Sequence, residues 1–122
     1  MESRESTKNL NSALAMFTAS CHFAPMGLLI ALADHKDASV RASVGSNPTA
    51  PEDVLRKLSR DPNWSVRSCV GENPSTPADA IEHLANDAHM VVLMLVLSNP
   101  RLLPDVRHKI EKKLRLDEFF RH

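Results

Sequence analysis

Apolar residues along this chain fall in short stripes at helical spacing, cut at regular intervals by Pro, Gly and Asn. Ala80, Ile81, Leu84 and Ala85 recur at steps of one, three and four, which puts them on one side of an α-helix. Val66, Cys69 and Val70 make a second stripe. The starts carry a signature. In Thr76-Pro77-Ala78-Asp79 the Thr is placed to cap, and Pro suits a first helical position because it has no amide hydrogen to lose. The acid that follows meets the positive end of the helix dipole. Asp61-Pro62 repeats the start signal, and Gly71, like Gly45 one unit earlier, reads as a stop. Asn-Pro then turns the chain, since a residue before Pro avoids helical geometry. Together these signals predict helices near 9–20, 25–34, 37–45, 51–60, 62–71, 77–86, 88–98 and 104–116.

The interruptions keep a fixed step. Asn47-Pro48, Asn73-Pro74 and Asn99-Pro100 lie 26 residues apart. In the same register stand Leu32, Leu58, Leu84 and Ile110; Val40, Val66 and Val92; and Asp53, Asp79 and Asp105. Pro25, Pro51 and Pro77 also align, with Pro104 one place late. Such a period marks stacked supersecondary units. Helices of about ten residues are shorter than the roughly 12–15 needed for marginal stability alone, so each unit is expected to hold its shape only against its neighbours. The expected fold is all-α, a solenoid of about three to four two-helix repeats of 26 residues with capping helices at both ends. A single domain over 9–122 follows a disordered 1–8, with a degenerate first unit at 9–34 and repeats near 35–60, 61–86 and 87–116.

Composition agrees and narrows the function. Aromatics are only 4% and Gly only 3 residues, so the core is aliphatic and hairpin-rich β structure is disfavoured. The 15 basic and 15 acidic side chains cancel, which removes wholesale capture of nucleic acid or anionic membrane. Residues 9–33 hold no Asp, Glu, Lys or Arg and reach Thr18-Ala19-Ser20-Cys21, an outline shared with lipoprotein signals. Glu2, Glu5, Asn11, Ser12, His22 and Pro25 spoil that outline, so a buried helix pair in a cytoplasmic protein is expected. Cys21 and Cys69 are too few for a disulfide framework or a four-thiolate site, and the dispersed histidines show no zinc spacing, so no metal or cofactor is expected.

The run Leu55 to Pro77, with Asp61-Pro62, Val66-Arg67, the earlier Val40-Arg41 and the Asn-Pro-x-x-Pro turns, resembles the leucine-rich repeat variant family. The resemblance covers about residues 25–110. It implies a right-handed superhelix in which longer α-helices alternate with shorter, tighter ones, akin to HEAT and armadillo arrays. One member of that family carries an N-terminal four-cysteine iron–sulfur segment. Only Cys21 lies in that region here, so no cluster carries over. The third unit also departs, with Val92-Leu93 and Leu97 in place of Val-Arg and Gly.

Candidate contact residues come from the matching columns. Arg41 and Arg67 share a column that Leu93 completes; they form either a guanidinium ladder for carboxylates or phosphates, or internal ties, with Asp37 the acid four residues before Arg41. Trp64 and Met90 occupy the Ala38 column as an anchor row. Asn47, Asn73 and Asn99 line a groove or hold consecutive turns together. Residues 90–97 are apolar on every side, so either Phe119 and Phe120 fold back over them or a partner does. Arg107, Lys109, Lys112, Lys113 and Arg115 form a basic patch or a solvated cap. Asp61 beside Trp64 resembles the pairing of HEAT-like DNA glycosylases, but those sites need several aromatics, and no catalytic motif is present. The expected function is a non-catalytic protein–protein interaction scaffold. Its alternatives are nucleic-acid binding through the Arg column and last helix, and a homodimer through residues 90–97.

Overall fold

The structure, a computed structural model, describes residues 4–115, with side chains described from Asn11 onward. Eight helices and no strand occur among the described residues: α1 (Arg4–Ala19), α2 (Met26–Leu32), α3 (Ala38–Ser46), α4 (Glu52–Leu58), α5 (Trp64–Glu72), α6 (Ala78–Leu84), α7 (Met90–Leu97) and α8 (Pro104–Lys113). Each predicted helix is present. The first begins at Arg4 rather than near residue 9. The last ends at Lys113, short of the expected 116, and the covering role of Phe119 and Phe120 lies outside the described residues.

Odd and even helices form two rows. α1, α3, α5 and α7 pack side by side, whereas the even helices scarcely touch one another. A stack whose one row is close and whose other row is splayed must curve with the close row inside. The core lies between the rows. Val40, Val66 and Val92, then Val44, Val70 and Val96, are fully buried from the odd helices, and Leu29, Leu55, Ile81 and Leu84 meet them from the even ones. Burial of this kind contributes about 2 kcal/mol per aliphatic side chain, which is what short helices need.

Three local readings of the sequence are corrected. Pro25, Pro51 and Pro77, expected at the first helical position, are N-cap residues, and their helices start one residue later. Their backbone is extended at ψ between 141 and 155°, and their carbonyls take the amides of Leu29, Leu55 and Ile81. Thr76 therefore does not cap. Buried, it donates its hydroxyl to the Val70 carbonyl at 2.7 Å, satisfying the end of α5.

Gly45 and Gly71 do not end their helices in a left-handed turn; they sit inside α3 and α5, and among the described residues no glycine has positive φ. Their purpose is close approach. A Cβ on Gly45 would stand 3.1 Å from Val70 Cγ2, and one on Gly71 3.0 Å from Val96 Cγ2. The odd row is tight because this column has no side chain.

α2, α4 and α6, at 7 residues each, are shorter than α3 and α5, as the resemblance implied, whereas α8 has 10; all are α-helical rather than more tightly wound. Tighter bonds appear at their ends, such as Ala80 N–H to the Pro77 carbonyl and Arg60 N–H to the Lys57 carbonyl. Ion pairs span the splayed row: Arg56 bonds Asp79 of the next unit at 2.9 Å, and Lys57 bonds Asp34 of the previous one. The Arg56 hydrogen bond holds the Asp79 carboxyl below its ordinary value. Solvent screening leaves exposed pairs of this kind little weight in stability.

Candidate functional site

α3, α5 and α7 each begin with two staggered acceptors. His35 Nδ1, Asp61 Oδ1 and Asp87 Oδ1 accept the amides of Asp37, Asn63 and His89, at 3.0, 2.9 and 2.9 Å. Asp37, Asn63 and His89 then cap α3, α5 and α7 by accepting from Ser39, Ser65 and Val91. The Asp37 carboxyl is held low by that Ser39 amide, with Ser12 adding to the effect.

The arginine column plugs into these starts. Arg41 grips Asp61 of the next unit through Nε and Nη2, at 2.8 and 3.2 Å, and donates to the His35 carbonyl. Arg67 grips Asp87 at 2.7 and 3.3 Å and donates to the Asp61 carbonyl. The arginine side chains are 16% and 20% exposed and their aspartates 5% and 8%. These guanidinium groups are inter-unit clamps, and the acid is Asp61 rather than the expected Asp37. The Asp61 hydrogen bond raises the Arg41 guanidinium further. Asp61 is occupied in the same way, which removes the glycosylase-like pairing with Trp64.

Leu93 takes the arginine position in α7 and is only 3% exposed, so it is core rather than contact. The clamp role passes to Lys113, whose Nζ donates to the Asp87 carbonyl at 2.9 Å. That carbonyl is the column-mate of the Asp61 and His35 carbonyls. Sequence reasoning grouped Lys113 with the basic patch. Its position 26 residues after Asp87 was the available signal. In the same patch Arg107 donates to the Leu97 carbonyl and approaches Glu111, while Lys109, Lys112 and Arg115 are exposed.

Burial alone would push the Asp87 carboxyl up, but Arg67 and the His89 amide outweigh it and hold the group below its ordinary value. A carboxyl with a depressed folded value contributes stability that is complete above its unfolded value, about 3.9, and is lost as pH falls through the folded one. The difference in urea midpoint between wild type and Asp87→Asn should therefore be constant from neutrality down to about pH 5 and shrink below about pH 4. A difference that persists undiminished at about pH 3 would contradict the clamp.

The Asn column is a ladder inside the stack. Asn73 Nδ2 donates to the Gly45 and Asn47 carbonyls at 2.7 and 3.0 Å, and Asn99 Nδ2 repeats this on Gly71 and Asn73 at 2.7 and 3.0 Å. Asn47 does the same on Ala19 and Cys21. Each Asn Oδ1 accepts an amide two residues on, from Thr49, Ser75 and Arg101. All three residues are buried, so none lines a groove.

Exposed apolar side chains stand at both ends of the stack, on α1 and α2 and on α7. Of the eight apolar residues of α7, Val92, Leu93 and Val96 enter the core, while Met90 at 63%, Met94 at 56% and Val91 face solvent. Trp64, also exposed, lies beside them with its ring stacked on His89 at 4.3 Å and 11°. Trp64 apart, the outward positions of α3 and α5 are small or polar: Ser39, Ser43, Ser46, Ser65 and Glu72. Of the sequence-predicted contact residues, the structure brings together Trp64 and Met90 and withdraws Arg41, Arg67 and Leu93.

Helices that repeat their caps, clamps and Asn bonds at one step define an α-helical repeat protein. The family model described as leucine rich repeat variant matches residues 38–63, from the first turn of α3 to the cap of α5. That is one unit of a helical repeat family. No curated protein and no solved structure matches the chain.

Proposed function

We propose that the protein is a non-catalytic scaffold that binds another protein through the apolar end of the odd row, with Met90, Val91 and Met94 as the contact and the Trp64–His89 stack as its edge. The observation that carries this reading is that α7 is apolar at every position although the core uses only Val92, Leu93 and Val96 deeply. Contiguous exposed apolar surface on a soluble domain marks an interaction site, Met adapts to varied partners, and a half-exposed Trp makes an effective anchor. Repeat stacks present extended surfaces suited to this use. Among the described residues no helix is long and apolar enough to cross a membrane. The unpaired thiols Cys21 and Cys69 support a reducing, cytoplasmic setting.

The test compares baits in quantitative affinity capture. Trp64→Ala with Met94→Glu should reduce recovery of the specific partner by roughly tenfold or more, while Lys109→Glu with Lys112→Glu should leave it unchanged. Equal recovery by the wild-type and the α7 variant baits would remove the reading. Leu93→Glu is the wrong probe, since that side chain is in the core. Nucleic acid is the weaker partner, because Arg41, Arg67, Arg107 and Lys113 each already bond protein oxygens.

A further inference from the structure

The apolar surface at the other end of the stack has its own logic. Leu14 of α1 stands 26 residues before Val40 and so in the column of Val66 and Val92, and Leu28 of α2 stands 26 before Val54 and so in the column of Ala80. All five later residues are buried. Their helices pack on the preceding unit: a Cβ on Gly45 would stand 3.6 Å from Cys69 Cβ and from the Val66 carbonyl, one on Gly71 3.7 Å from the Val92 carbonyl, and Val54 lines a cleft with Met26 and Ile30 of α2. In the first unit the same columns are open, with Leu14 58% and Leu28 40% exposed. Phe17 at 76% and Phe23 at 94% stand with them. This face therefore has the composition of an inter-unit interface and not that of a polar cap, which a solenoid end needs for solubility.

From this we infer that the face formed by Leu14, Phe17, Phe23 and Leu28 is a dimer interface, and that its occupant is the same face of a second copy of this chain. Three observations select that occupant. The first is charge: residues 9–33 carry no Asp, Glu, Lys or Arg in a chain that is 25% charged, so two copies of the face meet without repulsion. The second is area. An aromatic side chain carries about 150–250 Å², so the two phenylalanines alone present roughly 300 Å², the size of the largest patch on a typical monomer. Leu14 at 58% and Leu28 at 40% exposed extend the patch toward the roughly 800 Å² per partner of a standard interface.

The third is the opposite end. Leu97 fills the column of Gly45 and Gly71, where even a Cβ would lie 3.1 or 3.0 Å from the next helix. A copy cannot stack on α7 in the lattice of the internal units, so head-to-tail growth is blocked and the two-fold, face-to-face pairing remains. Such a dimer leaves α7 free in each copy, and would present two partner surfaces at once.

Light scattering and sedimentation of the full chain test this. The wild type should run at twice 13.5 kDa at micromolar concentration. Leu14→Asp with Phe17→Asp should weaken self-association by roughly a hundredfold or more, with the far-ultraviolet dichroism unchanged because both side chains are exposed. Met94→Asp should remain a dimer. The inference is overturned by a wild-type monomer, by a dimer that survives the Leu14/Phe17 change, by a dimer lost instead in Met94→Asp, or by a monomer that sediments with neutral phosphatidylcholine vesicles.

Discussion

Asn73→Ala is expected to be the most damaging single truncation in the stack, at about 3–5 kcal/mol. Its side chain is 2% exposed and makes three bonds: two from Nδ2 to the Gly45 and Asn47 carbonyls, and one accepted by Oδ1 from the Ser75 amide. Truncation strands all three backbone groups where water does not reach, at about 1–3 kcal/mol each, and part of that sum is recovered by relaxation. The effect crosses a unit boundary, because Gly45 and Asn47 belong to the preceding turn. Thermal unfolding followed by circular dichroism should show a fall on the order of 15 °C. A loss below about 1 kcal/mol would mean that the turns are not joined through this amide.

The second large effect is steric. Gly71→Val should destabilise by about 3 kcal/mol, the upper range for overpacking, since a Cβ alone would stand 3.0 Å from Val96 Cγ2 and 3.6 Å from the Val96 amide. Val96 is fully buried and β-branched, so it has little freedom to move aside. Gly27→Ala provides the opposite sign. A Cβ there meets nothing within 4 Å, so the better helix former should stabilise by up to about 1 kcal/mol. Urea midpoints for the two variants moving in the same direction would contradict the assignment of Gly71 to inter-helix approach.

The repeat was legible because it is written in the positions that must be apolar or must break a helix. The buried Val40, Val66 and Val92 and the Asn-Pro corners share one step, and stacking alone can use them. The functions of individual side chains were less legible, for a physical reason. Arg41 and Arg67 read equally well as a surface ladder or as clamps, since sequence spacing along one helix favours Asp37 as partner and does not show the acid one unit ahead. Gly45 and Gly71 sit near helix ends, where a stop is the common reading. Only the position of the neighbouring helix shows that the missing side chain is the point. Lys113 lost its role for the same reason, lying on α8, one helix beyond the column it completes. The α7 surface was foreshadowed by eight apolar residues in a row, but which of them face out depends on the core. Leu93 is buried, and Met90 and Met94 are exposed.

The central claim is that consecutive corners are joined by buried Asn amides 26–28 residues apart, which sets the odd row and the surface it displays. Nuclear Overhauser contacts of the Asn73 and Asn99 side-chain amides test it directly. Cross-peaks from Asn73 Hδ2 to the backbone of residues 45–48, and from Asn99 Hδ2 to that of residues 71–74, with slow exchange of those amide protons, are the predicted result. Side-chain amides that exchange at once with solvent and contact only their own turn would contradict the stack.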